Sequence, residues 1–302
     1  MNCKLNRNAK SLHAMFVLLI LLLVSITSVY GADYGVIRVD DGTIHNFGDP
    51  DATVTVSGTT GTILGVNTIG DGSAAIFGGN ATLNITKNST TDGHVVGLFA
   101  ESGSLISFAD NNSTVTLNVT RTGGVGTTNG HAYGVHATGS EIVFSGNATL
   151  EINRNSTSAG DAVGLLAESG TAISFTNNAD NSNITLNVIR ASGAGNGYGI
   201  NATDGSSITF SGNTNISVNK GTGAGSVYGI NAQYGSQISF DKPTVLKVDN
   251  TGSGGVYGVY TRDGSQILFN DLARITVSSS GTAITSGVQI FGSGNADKKF
   301  IS

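Results

Sequence analysis

Apolar and polar residues alternate along nearly the whole chain, in short bursts separated by turns. Between Tyr198 and Val218 the order YGINATDGSSITFSGNTNISV holds three bursts: Tyr198, Ile200 and Ala202, then Ile208 and Phe210, then Ile216 and Val218. Alternation with period two sends successive side chains to opposite faces, which is the pattern of a half-buried strand. No segment of the unit has helical spacing. The turns carry Asp204-Gly205-Ser206 and Ser211-Gly212-Asn213, and glycine and asparagine accept positive φ at little cost. Each unit therefore predicts three strands and three corners.

The unit recurs. A phenylalanine stands at 77, 108, 144, 175, 210, 240 and 269, each five residues after a glycine, and that glycine is followed by Ser or, once, by Thr171. Upstream lies a small apolar run around Gly97, Gly134, Gly164, Gly199, Gly229 and Gly258. Downstream an apolar pair closes the unit, as in Leu117 and Val119 or Ile216 and Val218. Phe-to-Phe steps are 31, 36, 31, 35, 30 and 29 residues, and the match of GLFAESGSLISF from Gly97 to GLLAESGTAISF from Gly164 suggests duplication of a two-rung block.

A period near 30 residues signals a solenoid, a propeller or an array. A propeller blade needs four antiparallel strands and a longer unit, and the leucine and asparagine consensus of leucine-rich repeats is missing. The expected fold is an all-β parallel β-helix, in which each strand pairs with its equivalent one rung on and like residues stack about 4.8 Å apart. Phe77, Phe108, Phe144, Phe175, Phe210, Phe240 and Phe269 then form an internal ladder. The asparagines three residues later, Asn80, Asn111, Asn147, Asn178 and Asn213, are expected as a corner ladder ending before Pro243 and Leu272.

Residues 1–31 read as an export signal: Lys4, Arg7 and Lys10 precede an apolar run from Phe16 to Val24, with a cut expected at Ala32. The apolar run is short for a membrane span, which needs about 20 residues. The remaining chain has 12 Lys and Arg against 20 Asp and Glu, and no cysteine. A mildly acidic rod lacks the basic footprint of a nucleic-acid binder, and no disulfides are available to hold the fold. Residues 32–64 are expected to be a cap with an irregular first rung, 65–291 the regular repeats, and 292–302 an unstructured or truncated end. The corner that varies most, as at Thr120–Ala132 and Ile189–Asn196, is the first place to look for binding.

The residues of catalysis are sparse. His45, His94, His131 and His136 lack metal-ligand spacing and read as loop or face residues. Asp71, Asp204 and Asp263 precede Gly-Ser and read as turn formers. Arg121 and Arg190 sit at equivalent repeat positions, two residues after Val119 and Val188, without acidic companions, and Glu101 and Glu168 are likewise equivalent. No phosphate-binding glycine loop and no calcium-binding nonapeptide is present. No cofactor and no metal are expected. About eleven Asn-x-Ser/Thr sequons, among them Asn84, Asn88 and Asn201, follow from an Asn- and Thr-rich repeat.

With its export segment, cysteine-free body and G-[IV]-x-A-x-x-G-S-x-I-x-F rungs, the chain resembles the passenger region of Gram-negative autotransporters, in the style of pertactin-like adhesins. The resemblance covers about Ala32 to Phe291 and implies a right-handed β-helix displayed at the outer membrane surface or released from it, most often for adhesion. The family's C-terminal translocating barrel is absent from this sequence. The expected function is a non-enzymatic adhesin or surface stalk, with a host-surface glycan, a host protein or a second copy as partner. A carbohydrate-active β-helix and a truncated passenger remnant are the alternatives.

Overall fold

The computed structural model describes residues 33–48, 51–123, 130–177, 182–280 and 284–291. They form a right-handed parallel β-solenoid of about eight turns with three sheets and no helix. The expected export segment and the tail from 292 lie outside the described residues. One rung runs Gly197–Ala202, Ser207–Phe210, Asn213–Thr222, and the next begins at Val227–Ala232. These strands belong in turn to a bent sheet, a short-strand sheet and a long-strand sheet of nine, eight and nine strands. Every pair is parallel and joins equivalent positions, such as Ile200 with Ile230, Phe210 with Phe240 and Ile216 with Leu246.

Strict equivalence makes columns. Each phenylalanine ring stacks on the next at 4.6–5.1 Å with interplanar angles of 5–19°. Backbone pairing holds the rings near-parallel at this spacing, within the centroid range that stacked aromatic pairs favour, and all but Phe47 are buried. An eighth ring, Phe47, starts the column. Its signal was in the sequence: Gly42-Thr43 stands five residues before it, as Gly170-Thr171 stands before Phe175.

Phe47 belongs to the segment read as an irregular cap. The strands of that segment pair in register with the next rung, Ile37 on Val66, Phe47 on Phe77 and Val54 on Leu83. The corner asparagine ladder needs correction. Asn80, Asn147 and Asn213 do head long strands, but Asn111 does not: five residues separate Phe108 from Thr114, against two between Phe144 and Asn147. Thr114 takes the ladder position, pairing with Asn147, and Asn183 takes it in the rung above. Asn178 lies outside the described residues. Where the ladder holds, the side chain ties rungs together, since Asn80 Oδ1 accepts from the Thr114 amide at 2.7 Å and Asn147 Oδ1 from the Asn183 amide at 2.9 Å.

The corner between bent and short sheets is tight. Asp204 and Gly205 have φ of 57° and 73°, and the Ser206 amide donates to the Thr203 carbonyl at 3.3 Å. Two successive positive φ values across such a bond describe a type I′ turn. Ser102, Ser169, Tyr234 and Asp263 occupy the same left-handed position as Asp204.

Candidate functional site: the outward face of the bent sheet

Arg121 and Arg190 are inside the solenoid, not on an outer sheet. Lys87, Arg121, Arg154, Arg190 and Lys220 form one column, fully buried, each stacked on the next by strand pairing. Alternation placed them there, because Arg121 follows Leu117 and Val119 on the inward side. Asp92 acts on Lys87 and Arg121 electrostatically, and Asp161 on Arg154 and Arg190. Most donors of the column reach corner oxygens: Arg154 Nε and Nη2 on the Gly130 carbonyl at 3.0 and 2.8 Å, Nη2 also on Ser158 Oγ at 2.6 Å, and Arg190 Nε on Gly160 and Nη1 on Ser156 at 3.1 and 2.7 Å. Arg121 Nη1 is buried without a partner among the described residues. Lys87 donates to the Gly61 and Asp92 carbonyls. Burial lowers the pKa of all five, bringing Arg190 down to about 10 and Arg154 down to about 9. The glycine-rich corner that looked free to vary is thus the lid of this column, and Arg190 shares no face with the exposed Asp204.

The outward face of the bent sheet is different. Along Val227–Ala232, Val227, Ile230 and Ala232 face inward while Tyr228 and Asn231 face out, so alternation breaks at Gly229. The strand bends at each such glycine, where a Cβ would crowd the next rung: on Gly199 it would lie 2.5 Å from the Gly229 carbonyl oxygen and 2.9 Å from Ile216. The rows before and after the glycine both point outward and lean together. Rings meet across the bend, Tyr133 with His136 at 5.0 Å and Tyr257 with Tyr260 at 5.6 Å. Outward Val96, Val163 and Leu166 are buried by the same convergence. The result is a line of converging side chains running parallel to the solenoid axis, termed the furrow.

Its lining changes along the rod. In the C-terminal half Tyr198, Tyr228 and Tyr257 stack at 4.9 Å, presenting ring edges and hydroxyls because the faces cover one another. Burial raises the pKa of Tyr198 and Tyr228, which keeps both phenols protonated as donors. Beside them runs an amide relay: Arg262 Nε donates to Gln233 Oε1 at 2.9 Å, Gln233 Nε2 to Asn231 Oδ1 at 2.9 Å, and Asn231 Nδ2 to Asn201 Oδ1 at 2.6 Å. In the N-terminal half the structure gathers His94, His131 and His136 around Tyr133, with ring centroids 5.0–5.8 Å apart, and Phe99 beside His136. His136 Nε2 lies 2.9 Å from Glu168 Oε2. No protein family, curated protein or solved structure matches the chain when it is compared with them.

The other candidates are scattered. Asp71 and Asp204 sit exposed on corners of different rungs, and Asp263 Oδ2 lies 3.2 Å from Arg262 Nε. His45, on the first rung, bonds only locally to Thr43. Glu101 occupies the row of Glu168 two rungs earlier, with Thr138 between them. Among the described residues no group of three His, Cys, Asp or Glu is arranged to hold a metal ion, and no helix is long and apolar enough to cross a membrane. Sequence reasoning missed the furrow because its residues lie about 30 positions apart. The repeated tyrosine before Gly134, Gly199, Gly229 and Gly258 was the available signal.

Proposed function

We propose that this chain is the passenger part of an exported adhesin of the autotransporter kind, displayed on or released from a Gram-negative cell surface, and that it grips its ligand in the furrow of the bent sheet. The observation that carries this reading is the tyrosine and amide array of the furrow's C-terminal half. Hydroxyl edges repeating on three successive rungs, flanked by amides on two of them, suit a chain that itself repeats and is rich in hydroxyls, which favours a linear glycan. An extended peptide would seek unpaired backbone groups, and along the furrow those groups are already paired from rung to rung.

The test is binding of the chain from Ala32 onward to arrayed glycans and to host-cell surfaces, with Tyr228→Ser and Tyr257→Ser together as the comparison. Loss of at least tenfold in affinity, corresponding to about 1.4 kcal/mol, with circular dichroism unchanged, supports the furrow. Equal binding by the variant moves adhesion to another face. A carbohydrate-cleaving reading gains one specific support, the His136–Glu168 pair beside Tyr133. Incubation with polysaccharides, followed by a search for new reducing or unsaturated ends, separates cleavage from binding.

A further inference from the structure

At the corner entering the bent sheet, one side chain per rung accepts a hydrogen bond from the backbone amide of the rung above. Thr62 Oγ1 accepts from His94 at 3.3 Å, His94 Nδ1 from His131 at 3.2 Å, His131 Nδ1 from Asp161 at 3.0 Å, Asp161 Oδ1 from Asn196 at 2.7 Å, and Asn196 Oδ1 from Ser226 at 2.8 Å. Five consecutive links cross the rungs in the same way. Three acceptors are an alcohol, a carboxylate and an amide. Two are imidazole nitrogens, and an imidazole accepts at Nδ1 only while that nitrogen carries no proton.

We infer that His94 and His131 make this seam, and with it the N-terminal half of the furrow, an acid-operated joint. On protonation, each Nδ1–H would point at an amide N–H and the link would break. His131 has a replacement partner in reach, since Asp161 Oδ2 is 3.5 Å from the same nitrogen. A charged His131 exchanges the Asp161 amide for the Asp161 carboxylate and leaves that amide unpaired. The charged groups that act on His94 are instead cations and other histidines, and its pKa is lowered, first by burial and then by His131, His136, Arg121 and Lys87.

The sign follows from linkage. Unfolded His94 takes up a proton near pH 6.5, at about the ordinary histidine value, while the folded corner still resists it. The link is therefore fully present above that pH and is lost as pH falls through the depressed folded value. The charged and titratable groups around the pair are Lys87 and Arg121 from the long sheet, Tyr133, His136 and Glu168 from the bent sheet, and Asp92 and Asp161 from the corners. Tyr133 transmits the change to the furrow, because its ring lies 5.8 Å from His94, 5.5 Å from His131 and 5.0 Å from His136.

Amide hydrogen exchange on the chain from Ala32 onward tests the joint without any ligand. After correction for intrinsic rates, amides at His131 and Asp161 should lose protection as the pH is lowered from about 7.5, while those at Asn196 and Ser226 should not. In the double variant His94→Asn and His131→Asn, which copies the Asn196 link, the acid-induced loss should vanish. Loss in both proteins, or in neither, overturns the inference. Should the double variant not fold, ring ¹⁵N shifts of the unaltered chain decide: an unprotonated Nδ1 at about pH 7.5 in both histidines is required, and a protonated one ends the idea. The consequence for adhesion rests on the furrow being the binding face. If no glycan binds at any pH, that reading fails while the exchange result stands on its own.

Discussion

A buried cation needs a source of negative potential, and here one is the carbonyl oxygens of glycine-rich corners. Gly130 O alone receives Arg121 Nε, Arg154 Nε and Arg154 Nη2. The corner and the column depend on each other, because neighbouring cations share the same carbonyls: Gly130 O serves Arg121 and Arg154, and Ser158 O serves Arg154 and Arg190. Arg154→Met keeps the length of the side chain and removes every donor. Gly130 O keeps Arg121 Nε and Ser158 O keeps Arg190 Nη2, so what is lost is the set of charge-assisted bonds from Arg154. Stability should fall by about 1.5–3 kcal/mol, read as a shift in the urea midpoint. Lys220→Asn should cost less than about 1 kcal/mol. Lys220 makes only long bonds, 3.2 and 3.5 Å, and the next rung already uses Asn250, which serves Gly254 O and the Gly252 amide at 2.8 Å each. Equal losses in the two variants would mean that the column stabilises by packing rather than by hydrogen bonding.

At the scale of strands and sheets, two columns set the architecture: the phenylalanines fill the bore and the glycines bend one sheet. Phe175→Ala removes a ring stacked on both sides and should cost about 3–5 kcal/mol, whereas Phe47→Ala, half-buried at the end of the column, should cost less than half as much. Gly199→Ala should be severe despite its small size, because the new methyl group meets the Gly229 carbonyl and must straighten the bend or push the rung apart. Its signature is a loss of glycan binding larger than the loss of stability alone explains, measured below the unfolding temperature. The phenylalanine column was legible in the sequence because the Gly-to-Phe interval never changes. The asparagine column was only partly legible, since extra residues enter the corner between Phe108 and Thr114 and a fixed offset from Phe then points to the wrong residue. Arg121 and Arg190 were legible only as equivalent positions. Their parity with Val119 and Val188 points inward, but the carbonyls that offset the cost of burying a charge come from distant glycines. The histidine group depends on three-dimensional coiling, which brings residues 94 and 131 within 5.0 Å, ring to ring.

For the whole molecule, strand pairing joins each rung to its immediate neighbours, with Asn177 Nδ2 reaching the Asn111 carbonyl two rungs away at 3.1 Å. Stability should therefore build largely as a sum of rungs and the contacts between them. A rung removed as a unit should then leave a shorter rod with every column intact. Deleting residues 211–240 joins Phe210 to Asp241 and brings like against like: Phe210 meets Phe269, Leu186 meets Leu246, Val188 meets Val248, Tyr198 meets Tyr257 and Ile200 meets Val259. Arg190 then adjoins Asn250, as Lys220 does in the intact chain. The deletion variant should show the same far-ultraviolet spectrum per residue and a lower unfolding midpoint. Binding in the furrow should weaken but persist, because two of the three stacked tyrosines remain in contact. Deleting 15 residues from the same place would set a long strand against a short one and put the inward face of one rung on the outward face of the next. That variant should be aggregated or unfolded. If both deletions behave alike, the rungs are not interchangeable units, and the case for reading this chain as a repeated gripping surface weakens with them.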